Sequence, residues 1–350
     1  FNKTPTFKYW DMKRILLFIL CIFGISSYAQ PSNYAIIAEF DNAYGNTTVF
    51  SDGAAGSNIR SATILANSAD DEYVIEWDSF NNKWQNGATP YNSEFTLTHG
   101  LSGSPNGFLT VPTTSGNYYT FQINGLAYSN RSAVVMETDN TPVNFAAANP
   151  VSTVPSYVTP GNALNLTVNM AGAKSAQERV FLRYSTDGFT TSDVEEVSFA
   201  TATASSGTIS IPSSVNTGGN TVEFYLYSTT VAATASSNHD LITLNLENNS
   251  GANYSYEVAY HLTGTSTSWN NSASWVGGVI PPSGSVVIIN EDINLDINAD
   301  LSDLTIQSGV TFTASDGSNA YELTISGDLT NNGTFTASDG KVIFDGAGTV

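Results

Sequence analysis

Residues able to do chemistry are sparse, and most of them fall in a repeat. Thr-Phe-Thr-Ala-Ser-Asp-Gly occurs at 311–317 and again at 334–340, so Phe312, Asp316 and Gly317 recur as Phe335, Asp339 and Gly340. If stacked strands hold the two copies, Asp316 and Asp339 stand near the ~4.8 Å spacing of paired strands. Carboxyl groups about 5 Å apart suit retaining glycoside hydrolysis. The favoured reading is plainer: Ser-Asp-Gly makes a turn in which Asp bonds its own backbone, and no cleft of further polar and aromatic groups surrounds the pair.

Asp292, Asn294, Asp296, Asn298 and Asp300 alternate with apolar residues. On one strand this would put every side-chain oxygen on one face. Oxygen-only clusters suit Ca²⁺, but the turn glycine of the EF-hand loop is missing, and an outward polar face is the favoured alternative. Asp70-Asp71-Glu72 is a weaker case of the same kind. Phe80, Trp84 and Tyr91 cluster around a turn, and Trp84 lies in a polar run from Asn81 to Gly87. Exposed rings beside amides and acids could stack a sugar; packing is the competing reading. His99, His239 and His261 are scattered, and no strand–Gly-x-Ser-x-Gly–helix context or phosphate-binding glycine loop is present. The residues present therefore carry no catalytic constellation.

The elements that must position these groups are strands. Apolar residues alternate in runs of five to eight bounded by Gly, Asn, Asp or Pro. Charged residues make up only 12% of the chain, and Thr, Ser, Asn and Gly abound. Met12 is the natural start, residues 1–11 reading as an upstream artefact. Lys13-Arg14, the apolar run 15–25 and Ser27 and Ala29 at the −3 and −1 positions predict a secretory signal peptide over 12–29, cleaved after Ala29. Four of the eleven basic residues (Lys3, Lys8, Lys13, Arg14) and one of the 31 acids (Asp11) precede that site, leaving 7 basic and 30 acidic residues, net about −23. Such a surface repels phosphate backbones and anionic lipid. Cys21, the only cysteine, falls within the signal peptide, so the mature chain has no disulfide or thiol chemistry.

The predicted fold class is all-β: two antiparallel β-sandwich domains, then the start of a right-handed parallel β-helix, or solenoid. Eight strand candidates fill 33–149, with 142–150 expected as a linker, and seven fill 151–258, the immunoglobulin-like count. From 261 to 350, Trp269 and Trp275 are expected to cap a truncated solenoid. The triplets 304–306, 323–325 and 342–344 recur every 19 residues, which predicts a 19-residue coil in which the 23-residue offset of the heptapeptide reflects redistributed turns.

The stretch Glu178 to Ser192, containing Val180-Phe181-Leu182-Arg183-Tyr184-Ser185-Thr186-Asp187-Gly188, resembles an accessory β-sandwich of secreted Bacteroidetes multidomain surface proteins, as does 248–256. The resemblance covers about 151–258 and implies a non-catalytic module. Trp269-x5-Trp275-x-Gly277-Gly278-x-x-Pro281-Pro282 resembles the opening of G8-like β-helix segments in bacterial surface proteins. Together these give an expected secreted or cell-surface protein in adhesion or glycan binding, without a cofactor unless Ca²⁺. The alternative is the accessory region of a polysaccharide lyase or glycoside hydrolase whose active site lies on later coils.

Overall fold

The computed structural model describes residues 33–346, apart from 44, 78–81, 86–87, 101–108 and 127–128. The expected leader at 12–29 and Phe80 lie outside the described residues. Three apolar cores follow one another along the chain.

The first is enclosed by β1 (Ala35–Ala38), β2 (Thr48–Val49), β3 (Ser51–Gly53), β4 (Gly56–Leu65), β5 (Glu72–Trp77), β6 (Asn82–Gln85), β7 (Glu94–Gly100), β8 (Leu109–Thr110), β9 (Tyr118–Asn124) and β10 (Arg131–Thr138). The strands pair antiparallel in the order β2-β1-β5-β6-β7-β10-β9-β4-β3, with β8 on β5. Strand β7 makes the corner: residues 94–97 pair with β10 and 98–100 with β6. The sheet thereby folds over itself, as strands that switch sheets do. Tyr34, Phe40 and Tyr73 from one half meet Tyr119, Phe121 and Ile123 from the other. The Tyr73 and Phe121 rings are 4.9 Å apart.

The second core lies between two sheets. One contains β11 (Tyr157–Val158), β13 (Arg179–Ser185), β14 (Asp193–Glu196), β17 (Thr221–Thr229), β18 (Asn245–Glu247) and β19 (Tyr254–Val258); the other contains β12 (Leu164–Asn169), β15 (Ser198–Phe199) and β16 (Ser206–Ile211). Period-2 alternation selects the inner face: Leu164, Leu166 and Val168 point in from β12, and Val222, Phe224 and Leu226 from β17. Two expectations fail here. The passage 142–150 is no free linker, because Phe145 and Val151 are buried and bridge Met170 and Val168 at the edge of this sandwich. The run 241–246, expected as a strand, begins as a one-turn helix, α1 (His239–Ile242), before β18. Its apolar residues do not line a sheet face. Leu241, Ile242 and Leu244 enter a fourth cluster with Ile59, Val134 and Met136 of the first sandwich.

Beyond Ala259 every strand pairing is parallel, and about four coils form a β-solenoid. Its strands are β20 (Tyr260–His261), β21 (Ser285–Ile289), β22 (Ile293–Asn294), β23 (Ala299–Ile306), β24 (Thr311–Thr313), β25 (Glu322–Ile325), β26 (Leu329–Asn331), β27 (Thr334–Thr336) and β28 (Lys341–Phe344). The uniform 19-residue coil is wrong. Leu304-Thr305-Ile306 stacks on Leu329-Thr330-Asn331, 25 residues on, whereas Leu323-Thr324-Ile325 stacks on Ala299-Asp300-Leu301. Each full coil has three legs, and the sequence Leu-Thr-Ile occupies one leg at 304–306 and a different one at 323–325. The offset of 19 holds between Leu323 and Val342 and between Ile293 and Phe312, while the heptapeptide pairs at its full 23, Phe312 on Phe335. The four additional residues bulge into the loop between Thr313 and Glu322, where only four residues separate Thr336 from Lys341.

Trp269 and Trp275 are buried edge-to-face, 4.7 Å between ring centroids, in the first coil. Trp275 Nε1 donates to the Trp269 carbonyl at 2.8 Å, and Trp269 reaches Phe312 at 5.7 Å. Phe312 in turn stacks on Phe335 at 5.5 Å. Phe312 is fully buried and Phe335 only partly. Phe312→Ala is therefore expected to destabilise the solenoid by about 3–5 kcal/mol and Phe335→Ala by distinctly less, measured by urea unfolding followed through tryptophan fluorescence.

Candidate functional site

The repeat places Asp316 and Asp339 in different local structures. Asp316 caps its own loop: Oδ1 accepts from the backbone N–H of Ser318 (2.8 Å) and Asn319 (2.7 Å), and Oδ2 from the Asn319 amide (3.0 Å) and the Tyr321 hydroxyl (2.9 Å). These donors, led by the Asn319 side chain, hold its carboxyl well below the usual carboxylate range. Gly317 supplies the left-handed backbone (φ 85°) that closes the turn. In the second copy, Ser338 takes the positive φ (49°) and Gly340 lies against the Ala314 carbonyl of the coil before it, leaving no room for a Cβ. A carboxylate held in ionised form by four donors is no general acid, so Asp316 has the chemistry of a turn former.

The row from Asp292 to Asp300 is not one strand. β22 ends at Asn294 and β23 starts at Ala299, with a corner between. Its oxygens are engaged one by one across coil edges. Asp292 accepts from Thr311 N–H at 2.6 Å, Asp296 from Asn270 N–H at 2.7 Å and the Ser268 hydroxyl, and Asp300 from the Ser283 hydroxyl. Asn298 accepts from Glu322 N–H at 2.9 Å, and Asn294 belongs to the β22–β24 ladder. Thr311 and Glu322 lie on the following coil, and Asn270, Ser268 and Ser283 precede the row, so the side chains diverge. Among the described residues no group of three or more His, Cys, Asp or Glu side chains stands where it could hold a metal ion. Of the expected Ca²⁺ set, Asp292 and Asp296 cap backbone N–H groups, Asp300 meets a serine hydroxyl, and Asn294 lies in the strand ladder.

Of the expected aromatic platform, Tyr91 is exposed in the bend before β7 and Trp84 sits on β6 opposite His99 of β7. Sequence reasoning overlooked a different aromatic cluster. Arg183 donates from Nε to Ser192 Oγ (2.8 Å) and from Nη1 to the Tyr225 hydroxyl (2.7 Å), and its guanidinium lies 5.2 Å from the Phe189 ring. Two hydrogen bonds and two rings engage the one guanidinium here, with Phe189 held at φ 63°.

Two buried charges were also invisible in a stretch that reads as loop. Lys174 donates to the carbonyls of Glu178 (2.6 Å) and Ala202, and lies 5.0 Å from the Phe199 ring. Burial lowers its pKa, against the pull of Glu178, Glu196 and Asp139. Glu178, fully buried, accepts from Val143 N–H (3.4 Å) and the Asn245 amide (3.3 Å), and burial raises its pKa more than these donors lower it. They tie the entry passage of the second sandwich to β18.

The cavities are open grooves. One of about 550 Å³ crosses β12, β14 and β16 and is lined by Asn165, Thr167, Glu195, Thr208 and Ser210 among others. Another of about 410 Å³ runs over the solenoid corner past Thr265, Ser266, Thr267, Glu291 and Asp292. Both offer hydroxyl, amide and carboxylate oxygens, and neither contains a histidine, lysine or cysteine that could serve as base or thiol nucleophile. Comparison with family models, with curated proteins and with solved structures finds no match.

The capping account gives two expected outcomes. Asp316→Ala should speed amide exchange at Ser318 and Asn319 severalfold and leave exchange in β24 unchanged. Neither Ca²⁺ nor EDTA should move the melting temperature of the solenoid; a rise of several degrees with Ca²⁺ would restore the metal reading.

Proposed function

We propose that the chain is a non-catalytic, exported binding protein that recognises an uncharged glycan through its second sandwich, with the solenoid as a stiff extension. One observation carries this reading: the 550 Å³ groove is lined by side-chain hydroxyls, an amide and carboxylates, with no histidine, lysine or cysteine among them. Saccharide hydroxyls donate and accept at once, so a wall of mixed oxygen and amide groups suits them. The net charge of −20 disfavours polyanionic partners. Export is supported by the leader-like sequence at 12–29 and by a mature chain without cysteine. The strand order β11-β19-β17-β13-β14 against β12-β16-β15, with β11 parallel to β19, supports an immunoglobulin-like reading of 151–258.

The test is a panel of neutral and acidic polysaccharides, with binding to the full chain read by pull-down and calorimetry. A neutral polysaccharide should bind, and Thr167→Lys with Thr208→Lys, which fill the groove, should weaken it at least tenfold. Binding unaffected by that double variant would remove the groove from the reading, and chain cleavage of any polysaccharide would replace it with the hydrolase or lyase alternative.

A further inference from the structure

The contact between the two sandwiches contains a buried histidine. His239, 4% exposed, stands at the start of α1 inside the cluster that joins Phe181, Tyr227, Val231, Leu241, Ile242 and Leu244 to Ile59, Val134 and Met136 of the first sandwich. Its Nδ1 meets the Tyr227 hydroxyl at 3.0 Å, its ring packs edge-to-face on Tyr227, and its Nε2 has no hydrogen-bond partner. A neutral imidazole carries one N–H and one lone pair, so a single close partner leaves one ring nitrogen unmatched in either tautomer. Protonation makes both nitrogens donors and puts a full charge where burial is deepest.

The surroundings give that charge little compensation. From the first sandwich, β4, β9 and β10 contribute Ile59, Gln122, Val134 and Met136, none of them charged. Glu94 of β7 is already engaged by the Asn238 N–H at 3.1 Å. From the second sandwich, Arg183 repels a cation on the ring, while Asp240 and the Ala235 carbonyl favour one; Tyr225 and Tyr227 keep their protons at any neutral or acid pH. Burial and Arg183 prevail, and the ring titrates below the ordinary histidine value. The remaining ties across the contact are polar and few. Gln122 Nε2 donates to the Thr243 carbonyl at 2.8 Å, the Thr230 hydroxyl to Asn92, and Asp139 N–H to Ser175 Oγ at 2.9 Å.

We propose that His239 makes this contact acid-releasable: a proton on its ring expels the segment 231–244 from the first sandwich and frees the two units to move about residues 139–142. The sign follows from linkage. A histidine with a lower pKa when docked than when released binds fewer protons in the docked state. Docking is therefore at full strength above the released-state value of about 6.5 and weakens as pH falls through it, by up to tenfold per pH unit until the docked-state pKa is reached. Glu178, whose pKa burial raises, has the opposite sign and cannot produce the same release.

The full chain should be measured by small-angle scattering and amide exchange from pH 8 to pH 5. The radius of gyration is expected to stay constant down to about pH 6.5 and then rise, with exchange increasing first at 120–136 and 239–244. His239→Phe and His239→Gln, which cannot titrate, should keep their pH 8 dimensions to pH 5, and His239→Arg should be open at pH 7. His261→Phe, at the other junction, should release like the parent chain. The proposal fails if the parent chain keeps its dimensions at pH 5, or if His239→Phe and His239→Gln open over the same range, which would be general acid unfolding.

Discussion

Parallel strand pairing between coils is the constraint on which the solenoid depends. A parallel ladder must keep each residue over its partner, so apolar side chains on one leg land on one another: Ile293 on Phe312 on Phe335. No coil can bury that face alone. With register fixed, length variation has one outlet, the turns. The loop between Thr313 and Glu322 absorbs four residues without shifting the ladder, and Asp316 keeps that loop closed by satisfying its amides. Glycines follow from the same constraint, since Gly333 and Gly340 sit where the backbone of one coil touches the carbonyls of the coil before it.

The cores also cover one another where the units meet. The first coil is filled by Trp269 and Trp275, and its outer side lies against the second sandwich, where Tyr157 packs on His261 at 5.5 Å and Thr159 Oγ1 donates to the Val276 carbonyl at 3.1 Å. Only Ala259 separates β19 from β20, which leaves no slack for independent movement at that junction. The other junction is closed by α1 and the residues around it. The three cores therefore share walls where the units meet.

The legible part of this design was whatever repeats with a short period. Alternation at Leu164–Asn169 or Thr221–Thr229 states its own burial, and the all-β class follows from many such runs. The coil phase was not legible from the triplets because two legs carry identical Leu-Thr-Ile, and local sequence cannot say which leg it occupies. The heptapeptide held the true register, since a long polar-apolar string recurs only where the whole leg and turn recur. Long-range features were hidden for a related reason. Leu241, Ile242 and Leu244 read as a strand because their apolarity is the same whether it faces a sheet interior or another domain. Lys174 and Glu178 carry no local sign of burial, because nothing in the neighbouring sequence reveals that Phe199, Val143 and Asn245 close over them.

The composition of the walls differs from that of the cores in a physically telling way. Inside the first core, aromatic polar tips are paired, as with Tyr119, which donates to Glu137 and accepts from the Thr114 N–H, while in the solenoid core the Trp269 indole N–H is buried without a partner. At the wall between the sandwiches, Gln122 Oε1 and His239 Nε2 are buried without partners, and Thr138 Oγ1 is another such atom where the chain leaves β10. Each unmatched group costs about 1–3 kcal/mol, and apolar residues of the same size would hold the units together more firmly. A sequence that packs Leu, Ile and Phe so consistently elsewhere has the means to do so here. These unmatched groups make the wall less tightly held than an all-apolar contact of the same size would be.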